Sequence, residues 1–321
     1  GGPEALAIVE REPPAVGPND VRIAVKAASL NPLDAKIRAG KVKLVLPLRP
    51  PIALGCDVAG VVEQVGAEVT RFAPGDEVFA RLEKDRMGGL AELVCAHERV
   101  VAKKPAKASF EEAAGIPLAG LTALQALREV AALAPGQRVL IHAGAGGVGS
   151  LAVQIGKILG LHVATTTSSR NADFVRGLGA DEVIDYTKHE PLPQGLDAVF
   201  DTLGGAGELA SIAAVRRGGV VVGIGGLPDG AFAREWLPAW VRPGLWLMTS
   251  KRRRAEAKAG VRFASLFMRP DGAQLEELAG WIDAGKLRPV VHRTFEFGDV
   301  EGAFRELEGG RARGKIIVRV G

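Results

Sequence analysis

Gly144-x-Gly146-x-x-Gly149 is the part of this 321-residue chain whose spacing points most directly to chemistry. An apolar run ending in Val139-Leu140-Ile141-His142 leads into it. An amphipathic stretch with Val148, Leu151, Ala152, Ile155, Ile158 and Leu159 leads out. Strand, glycine turn and helix in that order form the entrance of a dinucleotide site. Gly144 permits the tight turn, Gly146 lets the backbone approach a pyrophosphate, and Gly149 lets helix and strand pack closely. The amides of Gly144, Ala145, Gly146, Gly147 and Val148 then stand at the positive end of the helix, suited to phosphate. An NAD site would carry a carboxylate for the ribose 2′-hydroxyl about 20 residues further on. No Asp or Glu occurs between Gly149 and Asp173, and Ser168, Ser169, Arg170 and Asn171 stand there instead. Hydroxyls and a guanidinium bind and neutralise a 2′-phosphate that a carboxylate would repel. The segment therefore predicts NADP(H), although the same residues also read as a helix cap beside an ordinary surface arginine.

Composition bounds the setting. Hydrophobic residues make up 47% of the chain and charged ones 24%, enough apolar material for buried cores and too much for disorder. A net charge of +4 would help draw in a polyanionic cofactor, but it is no nucleic-acid footprint. Cys56 and Cys95 make neither a disulfide framework nor a metal-spaced cluster, which suits a reducing, cytoplasmic setting. No stretch has the length of a membrane span and no leader peptide is recognisable, so no membrane partner is expected. The run Lys251-Arg252-Arg253-Arg254 could suggest nucleic acid or an anionic membrane. It reads first as the solvated face of a helix continuing through Ala255–Ala259.

Length suggests about two domains. Residues 1–110 are β-rich, with Val21–Ala27, Asp57–Val65 and Glu77–Ala80 as strands between Gly, Pro and Asn turns; Gly1-Gly2-Pro3-Glu4 reads as part of an opening hairpin. Beyond them helices and strands alternate. Helices are predicted at Phe110–Ala114, Thr122–Leu133, 148–159, 171–178 and Glu208–Ala214. Strands are predicted at 138–142, 162–166, 182–186, Ala198–Asp201, Val220–Ile224 and Val261–Phe267. Repeated βα units imply a parallel sheet covered by helices. After Pro270, a helix at Ala273–Ala284 and strands around Val290–Phe297 and Lys315–Val320 return to the texture of the start. The expected class is α/β. A β-barrel domain would occupy 1–114, a doubly wound nucleotide domain 115–269, and a return to the first domain 270–321.

Six motifs occur in a fixed order: Asn31-Pro32-Leu33-Asp34-x-x-Ile37-Arg38-x-Gly40, Gly55-Cys56-Asp57-x-Ala59-Gly60-Val61-Val62, Leu118-Ala119-Gly120-Leu121-Thr122-Ala123, the glycine turn, Leu178-Gly179-Ala180-Asp181, and a closing Gly314-Lys315. In this set the chain resembles, essentially end to end, the medium-chain dehydrogenase/reductase superfamily. Within it, the resemblance is to the zinc-free, NADPH-dependent quinone oxidoreductase (zeta-crystallin-like) branch. It implies a GroES-like catalytic barrel, a Rossmann domain and an active-site cleft between them. It also implies a homodimer paired along the last strand of the nucleotide sheet, which would cover an aggregation-prone edge. Zinc alcohol dehydrogenases of the superfamily place Cys, His and Cys where this chain has Asn31, Cys56 and Ala119. A catalytic zinc takes three protein ligands and an open position, so one thiol does not hold it and no metal is expected.

Without a Lewis acid, the resemblance points to an electron-poor small molecule: a quinone, or an enone or alkenal. Such a substrate can take a nicotinamide hydride on carbon and spread the charge onto oxygen. The resemblance places Asn31 and Thr122 beside the nicotinamide and its ribose; they also read as a turn residue before Pro32 and a helix-start threonine. Lys36 stands where many relatives carry a cleft tyrosine, and reads either as an enolate stabiliser or proton relay, or as a solvated lysine. Tyr186, the only tyrosine, falls on the adenosine-ribose side of the cofactor or on a surface edge. Gly223 and Ile224, with Leu266, Phe267 and Met268, fall where backbone groups grip the carboxamide; a glycine-rich loop and an edge strand are the other readings. The substrate lining would come from loops such as 81–89 and 231–250. Two further functions stay open: an enoyl-thioester (polyketide-type) reductase, and a catalytically idle NADPH-binding or RNA-binding protein.

Overall fold

Val21, Ile23 and Val25 alternate with the less buried Arg22, Ala24 and Lys26, so β1 (Asp20–Leu30) turns one edge of its side chains into a core with Val58, Val62, Phe72 and Val78. In the computed structural model, which describes residues 1–48 and 51–321, β1 pairs antiparallel with β2 (Asp57–Val65), β4 (Leu93–His97) and β13 (Lys315–Arg319). β3 (Glu77–Arg81) and β5 (Val101–Lys103) extend the sheet beyond β2, and β12 (Val291–Glu296) lies parallel to β13, making seven strands. β1 runs past the expected Ala27 because β2 and β13 clasp its last part from both sides, with Leu30 opposite Ile316. That register sets Lys315 beside Asn31. Residues 1–19 hold a single 3-10 turn at Pro3–Ala5, a tight turn closed by the Asp20 N–H on the Gly17 carbonyl (3.0 Å), and no strand of an opening hairpin.

The chain divides into two compact units, 1–121 with 269–321 and 122–268. The first break thus falls inside the helix Pro117–Leu124 rather than at residue 114. That helix starts earlier than the expected Thr122 and passes into a wider turn over Gln125–Val130, where the Ala131 N–H reaches the Ala126 carbonyl at 2.9 Å.

The second unit is built on a parallel sheet of β6 (Arg138–Ile141), β7 (His162–Thr167), β8 (Glu182–Asp185), β9 (Leu196–Asp201), β10 (Val215–Gly223) and β11 (Arg262–Ser265). Their order, β11-β10-β9-β6-β7-β8, is that of a Rossmann sheet. The winding reverses between β6 and β9, and ligands of such sheets bind beyond the carboxyl ends at that point. Leu140, Val199 and Val221 are fully buried, as strands covered on both faces require. Much of the expected loop 231–250 is helical, over Gly230–Trp236 and Arg242–Met248. No helix among the described residues is long and apolar enough to cross a membrane.

The basic run needs correcting. Helix Ser250–Ala259 exposes Lys251 and Arg254, yet Arg252 is only 5% exposed. Arg252 shares a helical face with Ala255 and Ala259, and those alanines pack on the sheet. Its guanidinium donates to the carbonyls of Leu227 (2.5 Å) and Pro228 (2.8 Å), lies 3.6 Å from Glu208 and 3.3 Å from Glu256, and sits 4.1 Å from the Phe263 ring centroid. Breaking a buried pair costs about 3–5 kcal/mol, so Arg252→Ala should lose that much in urea unfolding. Arg254→Ala should stay within about 0.5 kcal/mol. Equal small losses would return the whole run to solvent.

Candidate active site

At the switch point the carboxyl ends of β6 and β9 carry His142 and Asp201, beside the glycine turn. The His142 N–H donates to the Phe200 carbonyl (3.1 Å), and its ring bonds Thr166 Oγ1 (3.1 Å) and Ser211 Oγ (3.0 Å). Burial lowers the imidazole pKa and keeps the ring neutral. Helix Gly147–Ile158 starts from Gly146. A Cβ on Gly144 would lie 2.1 Å from Thr165 Oγ1, and one on Gly149 would lie 2.1 Å from the Ala143 carbonyl. Packing therefore demands both glycines. At Gly146 the one close neighbour is the Ala143 carbonyl at 3.3 Å, which leaves that side open for a ligand. Ala143 itself takes φ +53°, a strained left-handed conformation at the mouth of the turn. Ala145 is buried, while Gly147 and Val148 are half-buried at the helix start.

Asp201 Oδ1 accepts from the Leu203 and Gly204 amides (2.9 and 2.8 Å), whereas its buried Oδ2 has no partner among the described residues. A buried orphan acceptor needs a donor, and an open amide-lined turn suits an anion. A dinucleotide has both hydroxyls and phosphates, so these residues fit one. The Leu266 N–H reaches the Gly223 carbonyl (2.9 Å) and the Ile224 N–H reaches the Asp201 carbonyl (3.1 Å), so Gly223, Ile224 and Leu266 meet at this edge. β11 stops at Ser265, short of the expected Phe267. The Phe267 ring packs edge-on against Trp236 (4.9 Å) and Phe232 (6.1 Å), and Met268 is half-buried.

Ser168 to Asn171 form the turn after β7, and the Asn171 N–H closes it on the Ser168 carbonyl (2.9 Å). Arg170 is exposed there, and its guanidinium has no partner among the described residues. The parallel register puts Asp185 beside Thr167, so the neighbouring strand supplies a carboxylate that lies outside the 149–173 window. Asp185 accepts from the Ser169 hydroxyl, the Thr187 hydroxyl (2.6 Å) and the Thr187 N–H (2.9 Å), with Lys188 Nζ at 3.7 Å. Those bonds, led by Ser169, hold its pKa down to about 2. Lys188 thus lies beside the one carboxylate of this turn, and Arg170 is unpaired among the described residues. Tyr186 follows, 60% exposed.

In the first unit Asn31 follows β1 and opens the helix Pro32–Arg38, its N–H donating to Asp34 Oδ2 (2.8 Å). Its buried amide accepts from Lys315 Nζ through Oδ1 and donates to Asp57 Oδ2 (2.9 Å) through Nδ2. An ammonium only donates and a carboxylate only accepts, so the amide has one orientation. Lys315 Nζ also donates to the Leu30 carbonyl (3.0 Å) and lies 3.6 Å from Asp57. Asp57 accepts further from Ser29 Oγ (3.0 Å) and the Leu118 N–H (2.9 Å). Asp34 Oδ1 takes the Gly55 N–H (3.1 Å) and the Cys56 thiol (3.5 Å). Burial lowers the Lys315 pKa against the opposing pull of Asp57 and Asp34, and raises that of Asp34. Burial, with Asp34 alongside, pushes the Cys56 thiol well up. Lys315, Asp57 and Asp34 were not singled out from sequence as site residues. The signal for Lys315 is a lysine heading the apolar run Ile316-Ile317-Val318. Lys36 is exposed on the helix Pro32–Arg38, with no bond to this network among the described residues. Thr122 is buried in the helix Pro117–Leu124, at the start of the second unit.

Residues 17–106 match the alcohol dehydrogenase GroES-like domain, and residues 178–318 match the family described as zinc-binding dehydrogenase. The mitochondrial NAD(P)H oxidoreductase of Mus musculus is 34% identical, over 94% of this chain and 82% of its own. The 2-methylene-furan-3-one reductase of Solanum lycopersicum is 37% identical, over 95% of this chain and 73% of its own. The quinone oxidoreductase of Coxiella burnetii superposes with a TM-score of 0.86 at 33% identity, covering 100% of this chain and 96% of that one. The chain belongs to the medium-chain dehydrogenase/reductase superfamily, in its quinone oxidoreductase branch.

Membership makes the protein an oxidoreductase with a nicotinamide cofactor, and the GroES-like and Rossmann folds follow. The zinc named for the wider family does not fit the residues here. Its three ligand positions hold an amide already bonded to an ammonium, a single protonated thiol and the methyl of Ala119. Among the described residues no three His, Cys, Asp or Glu side chains converge as a metal would need. The network itself is testable. Lys315→Met strands the Asp57 carboxylate and should cost about 3–5 kcal/mol in urea unfolding. Adding Asp57→Asn should recover at least about 1 kcal/mol, and strictly additive losses would show that the two residues are independent.

Proposed function

We propose that this oxidoreductase is zinc-independent, prefers NADPH, and reduces a quinone or an α,β-unsaturated carbonyl. The observation that carries the reading is the Lys315 ammonium buried against Asn31, which holds a protein cation in the donor set where the superfamily's metal enzymes hold zinc. Without a Lewis acid, a simple ketone or alcohol is a poor partner and a conjugated acceptor a good one. The tomato relative's furanone and the quinone of the bacterial relative are both acceptors of that kind.

NADPH, when bound, supplies a hydride from its nicotinamide C4. The amides from Gly144 to Val148 hold its pyrophosphate, and Asp201 Oδ2 takes a hydroxyl hydrogen. Arg170, with Ser168, Asn171 and Lys188, neutralises the 2′-phosphate, while Ser169 occupies Asp185 and Tyr186 covers the adenosine ribose. Backbone groups of Gly223, Ile224 and Leu266 to Met268 hold the carboxamide, and Asn31 and Thr122 orient the ring and its ribose. A conjugated acceptor given that hydride would carry the charge on its oxygen. That enolate or quinol oxygen is stabilised by the Lys36 ammonium, and the proton that completes the two-electron reduction comes from Lys36 or water. The protein acts as a homodimer through β11, the edge strand of the nucleotide sheet. Its two buried free thiols suit the reducing cytoplasm.

Oxidation of NADPH measured against 1,4-quinones, 2-alkenals, vinyl ketones and enoyl thioesters should give turnover with the first three and little with thioesters. Tight NADPH binding with no turnover anywhere would sink the reductase reading, and thioester preference would move the enzyme to acyl-chain chemistry. Arg170→Ala should raise KM for NADPH by about tenfold or more and leave NADH within about twofold, since one charge-assisted bond is worth about 1.5–3 kcal/mol. Equal losses would show that Arg170 does not read the 2′-phosphate.

A further inference from the structure

The segment from Trp236 to Ala255 overlaps the expected substrate-lining stretch 231–250, yet it carries large apolar side chains on its outer surface. Trp240 is 76% exposed, Trp246 65%, and Leu247 and Met248 67% each. Helix Arg242–Met248 is anchored by Leu245 and Thr249, which are buried, so its outward side is more apolar than a solvated helix requires. The segment contains Arg242, Lys251, Arg252, Arg253 and Arg254 and no Asp or Glu. Arg252 is taken up inside by Glu208 and Glu256, and the other four make no ion pair with a carboxylate among the described residues. Arg253 sits 4.2 Å over the Trp246 ring and bonds Thr249 Oγ1 (2.7 Å) and the Trp246 carbonyl. The exposed indole and a cation are therefore presented as one unit.

We propose that this face docks on the surface of an anionic phospholipid bilayer. Trp240 and Trp246 would sit at headgroup depth, Leu247 and Met248 in the acyl boundary, and Lys251, Arg253 and Arg254 against lipid phosphates and carboxylates, while Arg242 is held by the Leu237 and Arg234 carbonyls. Tryptophan, aliphatic and basic side chains in one short helical segment are the composition of an interfacial anchor. A second copy is a poor occupant, because a two-fold contact would set these cations against the same cations, with only the flanking Glu235 and the Arg252-paired Glu256 to offset them. Nucleic acid offers phosphates and bases to stack on, but nothing for Leu247 and Met248. The proposal departs from the expectation of no membrane partner, which rested on the lack of a spanning stretch and on reading Lys251 to Arg254 as a solvated helix face.

The full chain is sedimented with vesicles of phosphatidylcholine, with and without phosphatidylserine, while tryptophan emission is followed. Binding to the serine-containing vesicles alone, a blue shift, and release by salt are expected. Each cation near such a surface contributes roughly fivefold, so Lys251→Glu with Arg254→Glu should weaken binding about twenty-fivefold or more. Trp246→Ser with Leu247→Ser and Met248→Ser should weaken it at least tenfold, with Tm unchanged in both sets, and should abolish the blue shift. Equal association with both vesicle types, or none, would overturn the proposal. So would a dimer that the triple substitution dissociates, or binding to single-stranded RNA in place of vesicles. None of these readouts uses turnover, so they stand or fall apart from the reductase reading.

Discussion

The interior of the first unit depends on one buried carboxylate. Asp57 collects Ser29 Oγ from β1, the Asn31 amide from the turn after it, the Leu118 N–H from a helix start and, at 3.6 Å, the Lys315 ammonium from β13. Left unpaired, such a charge would cost several kcal/mol, and only the folded chain assembles its partners. Two consequences follow. The Asn31 side chain is held at both ends and cannot flip. The β1–β13 register cannot slip by a residue without carrying Lys315 to the other face. Leu30, Phe304, Ile316 and Val318 supply the apolar burial at the same seam. The polar network adds little drive of its own but selects one alignment among those the apolar residues would accept.

Sequence legibility divides along physical lines. The nucleotide sheet could be read nearly strand for strand, because an apolar run, a glycine and an amphipathic helix are local signals that repeat. The glycine turn was legible for the same reason: Gly144 and Gly149 are needed by neighbours only a few atoms away. Lys315 was not legible, since its partners lie 284 and 285 residues back and only the β1–β13 pairing brings them together. Arg252 stood in plain view within a charged run. Its burial was encoded in the spacing to Ala255 and Ala259, a weaker signal than the three basic residues around it. The helices in 231–250 were missed because exposed apolar residues erase the periodicity by which a helix is usually recognised.

Cofactor choice shows why a rule confined to one stretch of sequence can be incomplete. The expected carboxylate is absent between Gly149 and Asp173, but parallel pairing lends this corner Asp185 from the next strand. What matters is the field at the turn, and that depends on how the carboxylate is occupied. Ser169 and Thr187 hold Asp185 ionised by bonding it from the side, and Lys188 lies close enough to offset its charge. The carboxylate is therefore spent on shaping the turn, and Arg170 is left over. A 2′-hydroxyl would find the acceptor already crowded, whereas a 2′-phosphate would find a free guanidinium. In the proposed preference for NADPH, the selectivity lies in which group is unpaired.

The same distinction separates the two kinds of cation in this protein. Lys315 and Arg252 are buried, and each is surrounded by carbonyls and carboxylates that make its charge a fixed part of the fold. Arg253 and Arg254 stand one and two residues beyond Arg252 on the same helix, but form no ion pair with a carboxylate among the described residues. In water such charges interact weakly, being screened within about a Debye length. They gain strength only when another surface displaces that water, and four exposed apolar side chains beside them reduce the cost of doing so. A helix that turns one arginine inward for stability and leaves its neighbours beside bare tryptophan is built for two environments. The inner one is the Rossmann sheet, and the outer one, in the proposed docking, is both anionic and apolar.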